Sequence, residues 1–283
     1  MVESPLVSAQ PAYFIPLGHD GEFDRFEPTE HTVSVWGADL QHGGPPTGLL
    51  TRALLRHEPD ASYSFTRIAI DILGPVGMTE NRVSTTVLRP GRQISLLASE
   101  LSVKQPDGSF RIAARATGWR LATADTATVE HAVTPALTPL PDELEGSIGL
   151  AGVGPLDAAD WGSVGFVGTL EHRLIDRAAH GPSRAWVRPT LPLVAGEETT
   201  DLEKFFTVLD VANGVGSRLA IGDWTFMNTD TTVHLHREPV GDWTGISAEM
   251  AVGPNGSGAT FADLYDTAGP VGRSAQTVLI RPV

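Results

Sequence analysis

The sequence predicts an α+β protein in which one order of elements occurs twice: strand, helix, antiparallel meander. Three observations carry this. Each half holds one stretch with apolar residues at helical spacing, Leu49, Leu50, Ala53 and Leu54 in the first and Leu202, Phe205, Phe206, Leu209 and Ala212 in the second. β-rich runs bounded by turn signals follow each helix. Short motifs recur about 165 residues apart: Gly48-Leu49-Leu50-Thr51-Arg52 with Gly214-Val215-Gly216-Ser217-Arg218, and Gly74-Pro75-Val76 with Glu238-Pro239-Val240. That offset is too long for a solenoid and suits a duplicated domain.

In chain order, residues 1–24 are an arm punctuated by Pro and Gly, and Phe26–Trp36 is a strand. Gly43-Gly44-Pro45-Pro46 opens the first helix, since proline in a first turn loses no needed N–H. Pro59 closes it after His57. Strands follow at Tyr63–Leu73, Arg82–Val87, Ile94–Val103 and Phe110–Leu121, the last two joined by a turn containing Asp107-Gly108. Ala122–Ser163 is rich in Ala, Pro, Thr, Gly and acids, and is expected to be a linker over the surface. The second half places strands at Phe166–Leu174 and Arg184–Leu193, a helix at Leu202–Arg218, and strands at Trp224–His236, Thr244–Val252, Ala259–Thr267 and Val271–Pro282. The division is 1–121, 122–163 and 164–283. One helix wrapped by a curved antiparallel sheet, twice over, describes a double hotdog, in which each copy covers the sheet edge and apolar flank of the other. Trp36, Trp161 and Trp224 are assigned to core or interface.

Composition narrows the function. In 283 residues there is no cysteine, which excludes disulfides, thiolate nucleophiles and zinc–cysteine sites. The net charge of −14 offers no basic stripe for nucleic acid, and an anionic substrate would need a local basic patch built from Arg. The N-terminus has no basic start or apolar run, and no segment approaches a membrane span; a soluble cytoplasmic protein is expected. No Gly-x-Ser-x-Gly elbow is present, so a covalent acyl-enzyme is not expected. Gly214–Gly216 lacks the surroundings of a phosphate loop. His234 and His236 share a strand face, but two imidazoles make no metal site, and neither metal nor cofactor is expected.

An Asp beside a buried helical stripe is costly unless it is hydrogen-bonded or chemically employed, and Asp210 holds that place. Leu209-Asp210 resembles the helical aspartate of the acyl-CoA thioesterase II family. The run Asn228-Thr229-Asp230-Thr231-Thr232-Val233-His234-Leu235-His236-Arg237 resembles that family's stretch from a catalytic Thr or Ser to Trp-Phe-His-Arg. Gly272-Arg273-Ser274-Ala275-Gln276 resembles the segment bearing its catalytic glutamine, and His42-Gly43-Gly44 also fits its pattern. The resemblance covers nearly the whole chain outside Ala122–Ser163. It implies a double hotdog that hydrolyses a fatty acyl-CoA to free acid and CoA, in fatty acid metabolism, as a homodimer or larger homo-oligomer.

The resemblance implies Asp210, Asn228 and Gln276 as the catalytic set. Asp210 would act as base or water acceptor, the two amides would hold the same water, and Thr229, Thr231 and His42 would contact substrate. Two departures stand. The catalytic hydroxyl falls on Asn228, or on Thr229 after a shift of one; the ungapped match selects Asn228, while strand alternation favours Thr229 unless a bulge intervenes. The family's Trp is replaced by His234. Oxyanion donors are expected near Thr207–Leu209, at a helix start. Two other readings remain: a non-catalytic acyl-thioester binding hotdog protein, and a hotdog enoyl-CoA hydratase or dehydratase with His42 as base.

Overall fold

In the computed structural model, residues 11–149, 161–177 and 179–283 are described. The first half contains β1 (Phe14–Asp20), β2 (Phe23–Pro28), β3 (Val33–Ser34), β4 (Gly37–Gln41), α1 (Gly44–Arg56), β5 (Tyr63–Ile72), β6 (Asn81–Arg89), β7 (Ile94–Lys104) and β8 (Phe110–Ala122). The second contains β9 (Ser147–Ile148), α2 (Gly165–Gly168), β10 (Leu170–Asp176), β11 (Ser183–Pro189), α3 (Asp201–Val208), a 3₁₀ turn (Leu209–Val211), α4 (Ala212–Gly216), β12 (Trp224–Asn228), β13 (Asp230–Leu235), β14 (Thr244–Val252), β15 (Ser257–Asp266) and β16 (Gly269–Pro282).

One 14-stranded antiparallel sheet runs β1-β2-β6-β7-β8-β5-β13-β16-β15-β14-β11-β10-β9, with β12 beside β16. Outward from the central β5–β13 pair, the order β8, β7, β6, β2, β1 on one side answers β16, β15, β14, β11, β10 on the other. At the join Ile68 faces Val233, so each half caps the other's open edge. α1 lies on β6, β7 and β8, while α3 and α4 lie on β11, β14 and β15. Leu49, Leu50, Leu54, Phe205, Phe206 and Leu209 are buried in one core that both halves share.

The helices also meet each other. A Cβ on Gly44 would stand 2.4 Å from the Thr207 carbonyl oxygen, and one on Gly48 would stand 2.2 Å from its hydroxyl. Only glycine at i and i+4 lets the two backbones approach this closely.

Several local expectations are corrected. The stretch Leu202–Arg218 is not one helix. α3 starts at Asp201 under a capping box, with Thr200 Oγ1 accepting from Glu203 N and Glu203 Oε2 accepting from Thr200 N at 2.7 Å. It then tightens to 3₁₀ at Leu209–Val211 and resumes as α4. The sequence there, with Val, Asn and Gly, has weak helix propensity. Gly48 is therefore inside α1 while Gly214–Gly216 close α4, and the paired motifs do not occupy equivalent turns. Residues 14–20 form a strand rather than an arm, and Gly165–Gly168 is helical where a strand was expected. In the expected linker, Leu137 is buried with Trp186 and Tyr265, and Pro139 O accepts from Trp186 Nε1 at 2.9 Å. Trp36 packs partly buried against a core cluster and Trp224 is 38% exposed; the side chain of Trp161 lies outside the described residues.

Candidate active site

A cavity of about 310 Å³ opens between the start of α1, the 3₁₀ turn with α4, strand β12 and the β3–β4 hairpin. Trp36, Val76, Val211, Val215, Phe226 and Leu279 give it an apolar wall, while His42, Asp210 and Asn228 supply polar groups. This combination is usual for small-ligand sites.

Asp210 sits at the break between α3 and α4 and is 7% exposed. His42 Nδ1 lies 3.0 Å from its Oδ2, and Asn228 Nδ2 donates to its Oδ1 at 2.6 Å. The Gly43 N–H donates to the same carboxylate. Burial pushes the Asp210 carboxyl up. The His42 imidazole, the Asn228 amide and the Gly43 N–H together outweigh that and hold it below the ordinary carboxylate value. A Cβ on Gly43 would come within 2.8 Å of Oδ2, so glycine is required for this approach. The Gly44 N–H also lies 3.3 Å from His42 Nδ1. One ring nitrogen cannot accept there and donate to Asp210 together. Beside an ionised carboxylate Nδ1 carries the proton, which leaves Nε2 as the acceptor in the neutral ring.

Strand register decides the face of Asn228. Asn228 pairs with Val278, and Thr232 pairs with Ala275. Four steps on one strand therefore match three on β16, which is a one-residue bulge. Thr277 N donates to Asp230 Oδ1 at 2.9 Å within the bulge. The bulge inverts the alternation, so Phe226 and Asn228 point to the same side as Thr231, Val233 and Leu235. Thr229 lies at the cavity rim, with its hydroxyl 3.5 Å from both Thr277 O and Asp230 Oδ1. Gln276 is 1% exposed and donates through Nε2 to Thr231 Oγ1 at 3.0 Å, one diagonal step along β16 from Asn228. Its Oε1 has no hydrogen-bond partner among the described residues. Neither Gln276 nor Thr231 is among the cavity-lining residues.

Of the six site residues expected, Asp210, Asn228 and His42 come together directly; Gln276 and Thr231 form a second buried contact, and Thr229 sits on the cavity rim. Two things were missed. His42 was assigned to substrate or to hydration rather than to Asp210, although the contact joins residues far apart in sequence. The expected oxyanion donors at Thr207–Leu209 are corrected: that segment ends α3, and the helix start beside Asp210 is that of α1, at Gly43 and Gly44. Among the described residues no cluster of three or more His, Asp or Glu is placed to hold a metal, and no helix is long and apolar enough to cross a membrane.

The fold has counterparts among known proteins. A protein of hot dog fold from Alicyclobacillus acidocaldarius superposes with a TM-score of 0.69 at 13% identity, covering 93% of this chain and 94% of that one. An acyl-CoA thioesterase II, TesB2, from Mycobacterium marinum gives 0.67 at 13% identity, covering 95% and 96%. At such identities these likenesses show the hotdog fold alone. No curated protein matches the sequence. The acyl-CoA thioesterase N-terminal domain family matches residues 32–121, and the acyl-CoA thioesterase C-terminal domain family matches residues 147–280. The chain belongs to the acyl-CoA thioesterase family and is a thioester hydrolase.

Proposed function

We propose that the protein hydrolyses a medium-chain fatty acyl-CoA, using a water activated by the His42–Asp210 pair, on a scaffold of two tandem hotdog repeats. The observation that carries this is the buried carboxylate of Asp210 held by His42 at 3.0 Å and Asn228 at 2.6 Å on the wall of an apolar cavity. A carboxyl held below its ordinary value is a weak base near neutral pH, whereas an imidazole is well matched to that task. His42 Nε2 takes a proton from water as the water oxygen bonds to the thioester carbonyl carbon. The tetrahedral intermediate then breaks its C–S bond, and the leaving thiolate receives that proton. The products are a carboxylic acid and CoA thiol. Asp210 fixes the Nδ1–H tautomer and stays ionised throughout.

Asn228 holds Asp210 Oδ1 and keeps a second N–H for water or the oxyanion. Gln276 shares its face, and its unpartnered Oε1 supports a role in holding the same water chain. The Gly44 N–H is the expected oxyanion donor. If six carbons occupy roughly 150 Å³, a cavity of about 310 Å³ accepts an acyl group of up to about a dozen carbons.

Thiol release from an acyl-CoA series tests this. The wild type is expected to release thiol from C6–C12 substrates, and Asp210→Asn to lose nearly all of it. No release from any chain length refutes the proposal. Hydroxyacyl-CoA formed from enoyl-CoA without thiol would instead assign hydration to the same imidazole–carboxylate pair. Retention of acyl-CoA without turnover would mark a binding protein.

A further inference from the structure

A molecule with a net charge of −14 must still attract a polyanion if its substrate is a CoA ester. None of the cavity-lining residues is Lys or Arg. Of the described cations, most are spent on carboxylates; Arg52, for example, is paired with Glu197 and Asp24. Arg111 on β8 is one of several exceptions. It is exposed, and no carboxylate oxygen of the described residues lies within 4.0 Å of it.

Its guanidinium is seated on the cavity rim. Nη2 donates to Pro75 O at 2.7 Å, and Nη1 donates to Ile112 O at 3.4 Å. A Cβ on Gly74 would stand 2.5 Å from Nη1, so the planar group rests against a bare glycine. Gly74 and Pro75 both line the cavity. Two of the five guanidinium N–H groups are used, and three remain for a ligand. The path to the reacting centre is short: Gln41 N donates to Val76 O at 2.8 Å, Val76 follows Pro75, and His42 follows Gln41. One side-chain contact, one backbone hydrogen bond and two residue steps separate the guanidinium from His42, a path of at most roughly 20 Å. Leu73 and Ile112, both exposed, flank it with apolar surface.

We propose that Arg111 is the phosphate anchor of the site: it binds the phosphates of the CoA moiety while the acyl thioester lies at His42 and Asp210. This rests on the proposed hydrolysis of acyl-CoA, but binding can be read without turnover. The anchor is a charge-assisted bidentate contact, which Arg suits better than Lys.

The experiment measures CoA binding by calorimetry for wild type, Arg111→Ala and Arg111→Lys. It also measures hydrolysis of octanoyl-CoA beside octanoyl-N-acetylcysteamine, which carries the thioester without phosphates. Arg111→Ala is expected to weaken CoA binding and raise KM for octanoyl-CoA about tenfold, with kcat unchanged. The N-acetylcysteamine ester should be turned over equally by both proteins, and Arg111→Lys should recover part of the loss. Added salt should raise the wild-type KM for octanoyl-CoA and leave that of Arg111→Ala nearly flat. Gly74→Ala, which keeps the charge but displaces it, should give a smaller loss in the same direction. Equal CoA binding by wild type and Arg111→Ala, or no CoA binding by the wild type, overturns the anchor. Tight CoA binding that depends on Arg111, without thiol release, upholds the anchor and refutes the hydrolase proposal.

Discussion

The molecule contains two crossings where the approach to one helix meets the body of the other, and they have been used in opposite ways. At the first, His42 and Gly43 ahead of α1 meet Asp210 just beyond α3. At the second, Glu197 ahead of α3 meets Arg52 in α1. Arg52 donates to Glu197 through Nε and Nη2, each at 2.8 Å, and through Nη1 to Asp24 at 3.3 Å. Arg56 adds a bond to Glu197 at 2.8 Å. The second crossing commits Arg52's guanidinium on every nitrogen. The first leaves a ring nitrogen and carboxylate lone pairs open beside a cavity. Two similar junctions thus carry different side-chain chemistry: one is the proposed reactive site and the other is a clamp.

The largest effect should come from Asp210→Asn: kcat falls about 10³–10⁴-fold, with the melting temperature little changed. The reverse pattern is expected at the clamp. Arg52→Met should keep kcat within about twofold and cost about 2–3 kcal/mol by leaving Glu197 and Asp24 without their cation, read as a lower midpoint in urea.

A buried carboxylate outside both crossings calibrates the stability side. Burial pushes the Asp266 carboxyl up, but Arg237 and the Val240 and Ala268 N–H groups hold it below the ordinary value. Arg237 Nη2 donates to its Oδ1 at 2.6 Å. Because the folded pKa lies below the unfolded one, about 3.9, the stabilisation is present above that value and lost as pH falls through the folded pKa. Asp266→Asn should therefore cost about 3 kcal/mol at pH 7. The gap to wild type should stay flat from pH 8 to 5 and close below about pH 4, as urea titrations across pH would record.

Gly43→Ala sharpens the view that the first crossing depends on close approach. Its methyl group would press on Asp210, and kcat/KM should drop about 30–100-fold while CoA binding persists. The smallest expected effect is a change of preference. Phe226 meets Trp36 edge-on at 5.5 Å in the cavity wall, so Phe226→Leu should move the best substrate about two carbons longer, at under tenfold change in kcat/KM.

Much of the frame was legible in the sequence. Leu49, Leu50 and Leu54 announce α1 within two residues of its bounds, and Asp107-Gly108 fixes the β7–β8 turn. The break at Leu209–Val211 was not, because apolar spacing continues through it and only weak propensity hints at the change. Asp210 and Asn228, which the structure brings into contact, were singled out through family resemblance and an ungapped match. Alternation alone pointed to Thr229, and the bulge that reverses it depends on pairing with β16, which no local pattern encodes. The partner of Asp210 was hidden for the same reason: His42 and Asp210 meet only when the glycine face of α1 crosses α3 at Thr207.

The central β5–β13 pairing has a practical reach. A backbone cut between residues 123 and 146 would leave His42 on one fragment and Asp210 on the other, and would leave β5 of one and β13 of the other each without the sheet partner supplied by its sibling. Co-expressed as separate polypeptides, the pieces would be obliged to find each other before any thioester is cleaved, which makes the enzyme a natural candidate for a split reporter of protein proximity.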